Sequence, residues 1–520
     1  MPATTPSPPP RPTPPSTQAA APAPAPPAGA RFGGVFAVVA AGVAMANLDV
    51  FIVNVALPDV GRHFTGASLS SLSWILNAYA VVFAALLVPA GRFADRTGPK
   101  RAYLGGIAVF TVASALCAVA PGVWSLVGAR AVQAAGAAFL TPSSLALLVA
   151  AAPPARRLAA VRGWTAMSGL AAALGPVAGG LLTQLDWRWV FLVNVPAGIA
   201  VLLAGPRVIR SPGQGARRVR AARRVRGRAG PGRRAGPGGA PGQGGAPAGR
   251  TARPDLAGAG LLTAGIAALA LALVKSNDWG WGSGGVIGTL VAAAVLLVLF
   301  VHRSARHPEP VLPLRLLRVP GFAPASVANL LFAVAFAAML LSAVLWCRQV
   351  WHWSALRTGL AIAPGPLMVP GLAVGAGPLA RRIGAAPIAI AGCAAFAAGI
   401  AWWTWAMSPD DGYAAGMLPG MLLTGVGVGL ALPTLVGAAV SALPPRDFST
   451  GSGMVTMARQ IGTVLGVAML IAALGSDAAP GGAGAFDDGW RLVLLASLAT
   501  AAACLAIRRP RPPAGDSAEM

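Results

Sequence analysis

The chain has 520 residues, of which 56% are apolar and only 11% charged, and its mean hydropathy is +0.67. A soluble protein of that make-up could not cover itself with polar groups, and the 66 Gly and 47 Pro follow no fixed period, so soluble, collagen-like and purely disordered readings all fail. The formal charge of +25 would suit a nucleic-acid binder, but most of the basic residues lie in connections between apolar runs, and no nucleic-acid partner is expected.

Apolar stretches of about 20 residues, enough to cross roughly 30 Å of hydrocarbon, recur along the whole chain. They fall at 35–57, 73–93, 102–120, 123–151, 161–184, 189–209, 256–275, 284–303, 322–346, 355–378, 384–407, 412–440, 450–473 and 489–507. The polar hinge Gln184-Leu185-Asp186-Trp187-Arg188 separates the fifth from the sixth. Connections after even-numbered spans carry Arg92, Arg96, Lys100 and Arg101, then Arg156, Arg157 and Arg162, and later Arg303, Arg306, Arg315, Arg318, Arg381, Arg382 and Arg446. The odd connections carry Asp186, Asp278, Asp410, Asp411, Asp477, Asp487 and Asp488. By the positive-inside rule the even connections and both termini are cytoplasmic. The Arg-over-Lys and Ala/Gly/Pro bias suits a high-GC bacterial genome, hence a multi-pass protein of a bacterial inner (plasma) membrane. The Trp pairs Trp187/Trp189, Trp279/Trp281 and Trp351/Trp353 stand at outer ends and are expected as interfacial anchors.

Residues 1–34 read as a disordered Pro/Ala-rich cytoplasmic tail, without the charged-then-apolar order of a cleavable signal. Residues 35–209 are expected as an N-terminal six-helix bundle, and 210–255 as a disordered Arg/Gly/Pro-rich cytoplasmic linker. Two inserted transmembrane helices follow at 256–303, a cytoplasmic connection at 304–321, a C-terminal six-helix bundle at 322–507 and a cytoplasmic tail at 508–520. The two bundles rest on an internal repeat. Gly91-Arg92-Phe93-Ala94-Asp95-Arg96-Thr97-Gly98 after the second span and Gly377-Pro378-Leu379-Ala380-Arg381-Arg382-Ile383-Gly384 after the tenth share a G-x-[LF]-A-x-R-x-G frame. Repeated bundles rocking about a midplane site are a common transporter plan.

Of the fifteen acidic residues, only Asp49 lies well inside an apolar span. A carboxylate at that depth costs about 2.5–3.5 kcal/mol on insertion scales, so it marks a functional, water-lined position, with loading and release of a proton as the natural role. The bland alternative is a packing Asp bonded to backbone or to Asn54. Arg130 is the expected partner, since Arg130, Gln133 and Ala137 share one face of the fourth span. In the fifth span, Gly175 and Gly179 form a GxxxG face beside Pro176, with Gly169 and Gly180 flanking them. In the thirteenth, Arg459 lies on the face of Gly462 and Gly466 with Gln460 adjacent. Substrate contact, counter-charge for the first span and plain structure remain open for it. Cys117, Cys347, Cys393 and Cys504 lack metal spacing and read as packing residues. No metal or cofactor is expected, and the chain lacks the motifs of a hydrolase, metalloenzyme or nucleotide-driven pump.

These segments resemble the major facilitator superfamily. GRFADRTGPKR (91–101) is similar to its cytoplasmic signature loop. LDVFIVNVALP (48–58), DWRWVFLVNVP (186–196), EPVLPLRLL (309–317) and GSGMVTMARQIGTVLGVA (451–468) resemble its fourteen-helix drug:proton antiporter branch. The resemblance runs from about residue 35 to 507 and implies an all-α membrane protein of the major facilitator fold, two six-helix bundles plus two additional helices. It implies proton coupling at Asp49 with Arg130, an antiporter-type motif at Gly169, Gly175, Pro176, Gly179 and Gly180, and a gate loop of Gly91, Asp95, Arg96, Gly98 and Lys100. Asn54, Gln133, Arg459 and Gln460 are candidates for the cavity. The function implied is export of drugs, antibiotics or other small organic molecules in exchange for protons by a monomer, not an enzyme. The alternative is a proton-coupled importer.

Overall fold

The structure is a computed structural model that describes residues 28–153, 157–209, 255–410, 412–444, 447–475 and 483–507. The expected disorder at 1–27 and 210–254, the C-terminal tail 508–520, and the charges Arg156, Asp411, Arg446 and Asp477 lie outside the described residues.

The described chain is helical throughout. The first bundle comprises α1 (Ala28–His63), α2 (Leu69–Thr97), α3 (Pro99–Ala118), α4 (Val123–Ala151), α5 (Arg157–Leu185) and α6 (Trp189–Val208, irregular at Val193). The inserted pair is α7 (Leu256–Trp279) and α8 (Gly284–Arg306). The second bundle comprises α9 (Phe322–Val350, ending in a π turn), α10 (Ala355–Ile362 and Pro364–Ile383), α11 (Ala385–Ala406), α12 (Tyr413–Ser441, opening in a π turn), α13 (Phe448–Leu474) and α14 (Ala483–Leu505).

Two expectations are corrected. Helix α1 starts at Ala28, so the N-terminal tail ends before residue 34. Of the fourteen expected spans, thirteen described helices are each long and apolar enough to cross a membrane; the exception is α10, which is interrupted at Ala363 and whose second segment, Pro364–Ile383, is rich in Pro and Gly and carries Arg381 and Arg382. Pro364 has no N–H to continue the ladder, yet Ala363 keeps helical dihedrals and the bonds Ala363 N to Gly359 O and Leu367 N to Ala363 O carry the helix past it. Finally, Trp187, Trp351 and Trp353 are buried packing residues, while Trp189, Trp279 and Trp281 are exposed as anchors should be.

The repeat is visible in the backbone. Gly98 and Gly384 both close one helix and open the next at φ +97° and +100°, and their N–H groups bond Ala94 O and Ala380 O. A side chain is strained at such φ, which explains a glycine at the same place in both halves.

The halves meet along two seams, α2 against α13 and α5 against α10, and α7 rests on the first of these. At the α5/α10 seam, a Cβ added to Gly180 would lie 2.6 Å from Ala355 O, and one added to Gly359 would meet Pro176 O. Toward the repeat-loop end, Gly169 of α5 and Gly371, Gly375 and Gly377 of α10 have no such neighbour within 4 Å. Close glycine packing of the seam is thus confined to the Leu185/Ala355 end. There, too, Arg348 of the α9 π turn donates to Asp59 of α1 at 2.7 Å, with only 6% and 14% of the side chains exposed.

Any side chain at position 180 must push α10 away from α5. Gly180→Val is therefore expected to open this end, read as at least a tenfold rise in maleimide labelling of a cysteine placed at the buried Leu57 in purified protein. The four native cysteines are buried, so the background is low.

Candidate functional site

Inside the first bundle, Asp49 (0% exposed) lies about 21 Å along α1 from its His63 end, at membrane depth. Every polar group around it is a donor. Arg130 Nη1 of α4 donates to Oδ2 at 2.5 Å, while Gln133 Nε2 of α4 and Asn194 Nδ2 of α6 donate to Oδ1 at 2.8 and 2.9 Å. One carboxylate therefore ties together three helices.

The other ends of these donors are also fixed. Arg130 is 1% exposed; its Nε donates to Ile75 O of α2 at 3.2 Å, and its Nη1 donates also to Gln133 Oε1 at 2.6 Å. Gln133 Nε2 further donates to Ser114 Oγ of α3 at 2.8 Å. The Gln133 amide can be oriented only one way, since its oxygen must face the arginine and its nitrogen the carboxylate. The guanidinium lies 4.3 Å from the centroid of the Tyr79 ring, an apolar and cation-attracting lid on its remaining face.

Asn54 does not join this network; its Nδ2 donates to Val50 O in its own helix. Asn194 does join it, and sequence reasoning missed it. A neutral amide in an apolar span carries no charge cost and looked like other spans' asparagines, although it sits within the quoted segment 186–196.

The remaining candidates lie elsewhere. On α5, a Cβ at Gly179 would lie 2.9 Å from Ile52 O and one at Gly175 would meet Phe51, so this face lets α5 approach the backbone of α1 directly beyond Asp49, while Gly180 serves the seam. Gln460 is buried and Arg459 half-buried on α13. The expected gate loop is instead the last turns of α2 and the first of α3, joined at Gly98; there Arg92 donates to the Glu309 and Pro310 carbonyls, Arg96 pairs with Glu309 at 2.5 Å and Lys100 donates to Pro206 O. Asp95 is exposed and makes no ion pair among the described residues, whereas Gly91 and Gly98 are backbone positions. Among the described residues no group of His, Cys, Asp or Glu could hold a metal ion.

Two helical bundles of repeated plan, one enclosing an ion pair at membrane depth, define a polytopic membrane transporter. The chain belongs to the Major Facilitator Superfamily, whose pattern it matches over residues 39–252 and 256–467. It is 34% identical to a cephamycin export protein of Amycolatopsis lactamdurans over 432 residues, 82% of each chain. It is 31% identical to a tetracenomycin C resistance and export protein of Streptomyces glaucescens over 437 residues, 83% of this chain and 74% of that one. Among solved structures, an auto-inhibited POT family peptide transporter shares the fold, with a TM-score of 0.62 and 17% identity across 94% of this chain and 98% of the other.

Removing one member of a buried pair strands the other's charge, at about 3–5 kcal/mol. Asp49→Ala is accordingly expected to lower the thermal midpoint in detergent sharply, while adding Arg130→Ala restores part of the loss. A double-mutant cycle that is additive would mean the two side chains do not interact.

Proposed function

We propose that the protein exports small organic molecules, drugs or antibiotics among them, in exchange for protons by alternating access. The observation that carries the reading is the Asp49–Arg130 pair, the buried ionic link inside the first bundle, which a proton can switch. A proton arriving on Asp49 removes the charge opposite Arg130 and converts an accepting oxygen into a donor. With the proton on Oδ2, Arg130 faces an O–H in place of its acceptor while Oδ1 can still accept from Gln133 and Asn194, so the ionic tie between α1 and α4 is lost.

Both relatives are known as export proteins, which favours export over import, and the motif resemblance on α5 agrees. The basic repeat loops assign the Gly98/Gly384 end to the cytoplasm of a bacterial plasma membrane, with both termini on that side. On this orientation the tight α5/α10 contact and the Asp59–Arg348 pair close the outer face, and the state is inward-facing. Asp95, without an ion pair here, is free to latch the inner face in the opposite state. The working unit is a monomer driven by the proton gradient, with no cofactor.

In everted vesicles with an acidified lumen, adding substrate is expected to alkalinise the lumen through the wild type. Asp49→Asn should reach the membrane at normal levels and abolish the signal. A full signal from that variant would remove Asp49 from proton coupling, and substrate failing to accumulate against the gradient in the wild type would favour an importer.

A further inference from the structure

Among the described residues, three charged side chains stand inside the bundles away from helix ends: Asp49, Arg130 and Arg459. The first two neutralise each other. Arg459 has neither a hydrogen bond nor an ion pair to its side chain among the described residues, and it sits about 17 Å along α13 from the Phe448 end. An arginine at that depth is costly unless it meets water or an anion.

The packing of α13 says which it faces. Two arcs of the helix are half-buried. One, formed by Ala458, Ile461, Leu465 and Met469, is apolar and has the composition of a lipid-facing surface. The other is polar: Ser452, Thr456, Arg459 and Thr463, spaced i, i+4, i+7 and i+11 and so aligned on one side. Contacts separate the arcs on both flanks. On one flank Gly462 and Gly466 press on Leu330 O and Val334 O of α9, and on the other a Cβ added to Gly453 would lie 3.5 Å from Val88 of α2. The polar arc therefore turns inward, between a helix of its own half and a helix of the other. The two glycine contacts are backbone to backbone, which fixes the rotation of α13 and the direction of the arginine. Thr456 and Thr463 spend their hydroxyl protons on Ser452 O and Arg459 O, so what they offer a ligand is lone pairs, beside one forked cationic donor.

We propose that Arg459 is the recognition point for an anionic substrate, a compound carrying a carboxylate or an equivalent oxyanion, with Thr456 and Thr463 accepting neighbouring donors of the same molecule. The unbalanced positive charge of the interior selects against organic cations, and the planar guanidinium suits a two-oxygen acceptor. This inference rests on the exporter reading for its biological sense but not for its test.

Binding is measured on the full-length protein in detergent, without a gradient, using the fluorescence of dansylated glycine, leucine and phenylalanine against their neutral carboxamides. The acids are expected to bind at least tenfold more tightly than the amides. Arg459→Gln should cost the acids about tenfold and leave the amides within twofold, while Arg459→Lys keeps most of the preference and covers the case in which the glutamine variant does not fold. Equal binding of acids and amides by the wild type, no binding of any acid, or equal loss of both classes in Arg459→Gln overturns the proposal. Asp49-dependent efflux of cationic drugs without acid preference would leave the exporter reading standing and sink this one.

Discussion

A carboxylate at membrane depth is tolerable only if its charge is met, and Asp49 is met from three sides. That requirement organises the first bundle. It places Arg130 and Gln133 one turn apart on α4, brings the start of α6 to α1 through Asn194, and draws in α2 and α3 through the Ile75 carbonyl and Ser114. Glycines on α5 then remove the side chains that would keep that helix from α1. Polar satisfaction and close apolar packing are here one constraint, since each donor reaches Asp49 only because the helices approach so nearly.

The second bundle has no counterpart of this pair among the described residues. Its buried polar side chains, such as Asn329, Thr358 and Thr424, are spread over several helices, and its ties to the first bundle are of a different kind. At the α5/α10 seam they are glycine-to-backbone contacts, and at the same end the largely buried ion pair Asp59–Arg348 reaches from one half to the other. Contacts without interlocking side chains can separate without repacking a core, whereas the Asp49 network cannot change without moving three helices at once. The molecule thus combines a stiff half and separable seams.

Hydropathy and charge alternation made the helices legible, because length and apolarity are local properties and the bilayer leaves few alternatives. The repeat frame was legible for the same reason, and Gly98 and Gly384 bear it out in their shared backbone conformation. The break in α10 was not, since Pro364 lies in a run apolar enough to hide it. Asp49 and Arg130 stood out because charge within an apolar span is rare, but no pattern in the sequence joins Asn194 to Asp49. The Asp59–Arg348 pair was hidden further, by the 289 positions between its members and by the ordinary look of a charge at a helix end. Burial of Trp187, Trp351 and Trp353 depends on neighbours that a single helix cannot announce.

The chain distance within the buried pair sets an order of events during synthesis. Asp49 and Arg130 are 81 positions apart, and Asn194 follows Asp49 by 145. At about 5–20 residues per second, Asp49 is made roughly 4–16 s before its arginine. Through that interval the first helix carries an acid whose cationic partner does not yet exist, and the bundle's central bond cannot close until α4 arrives.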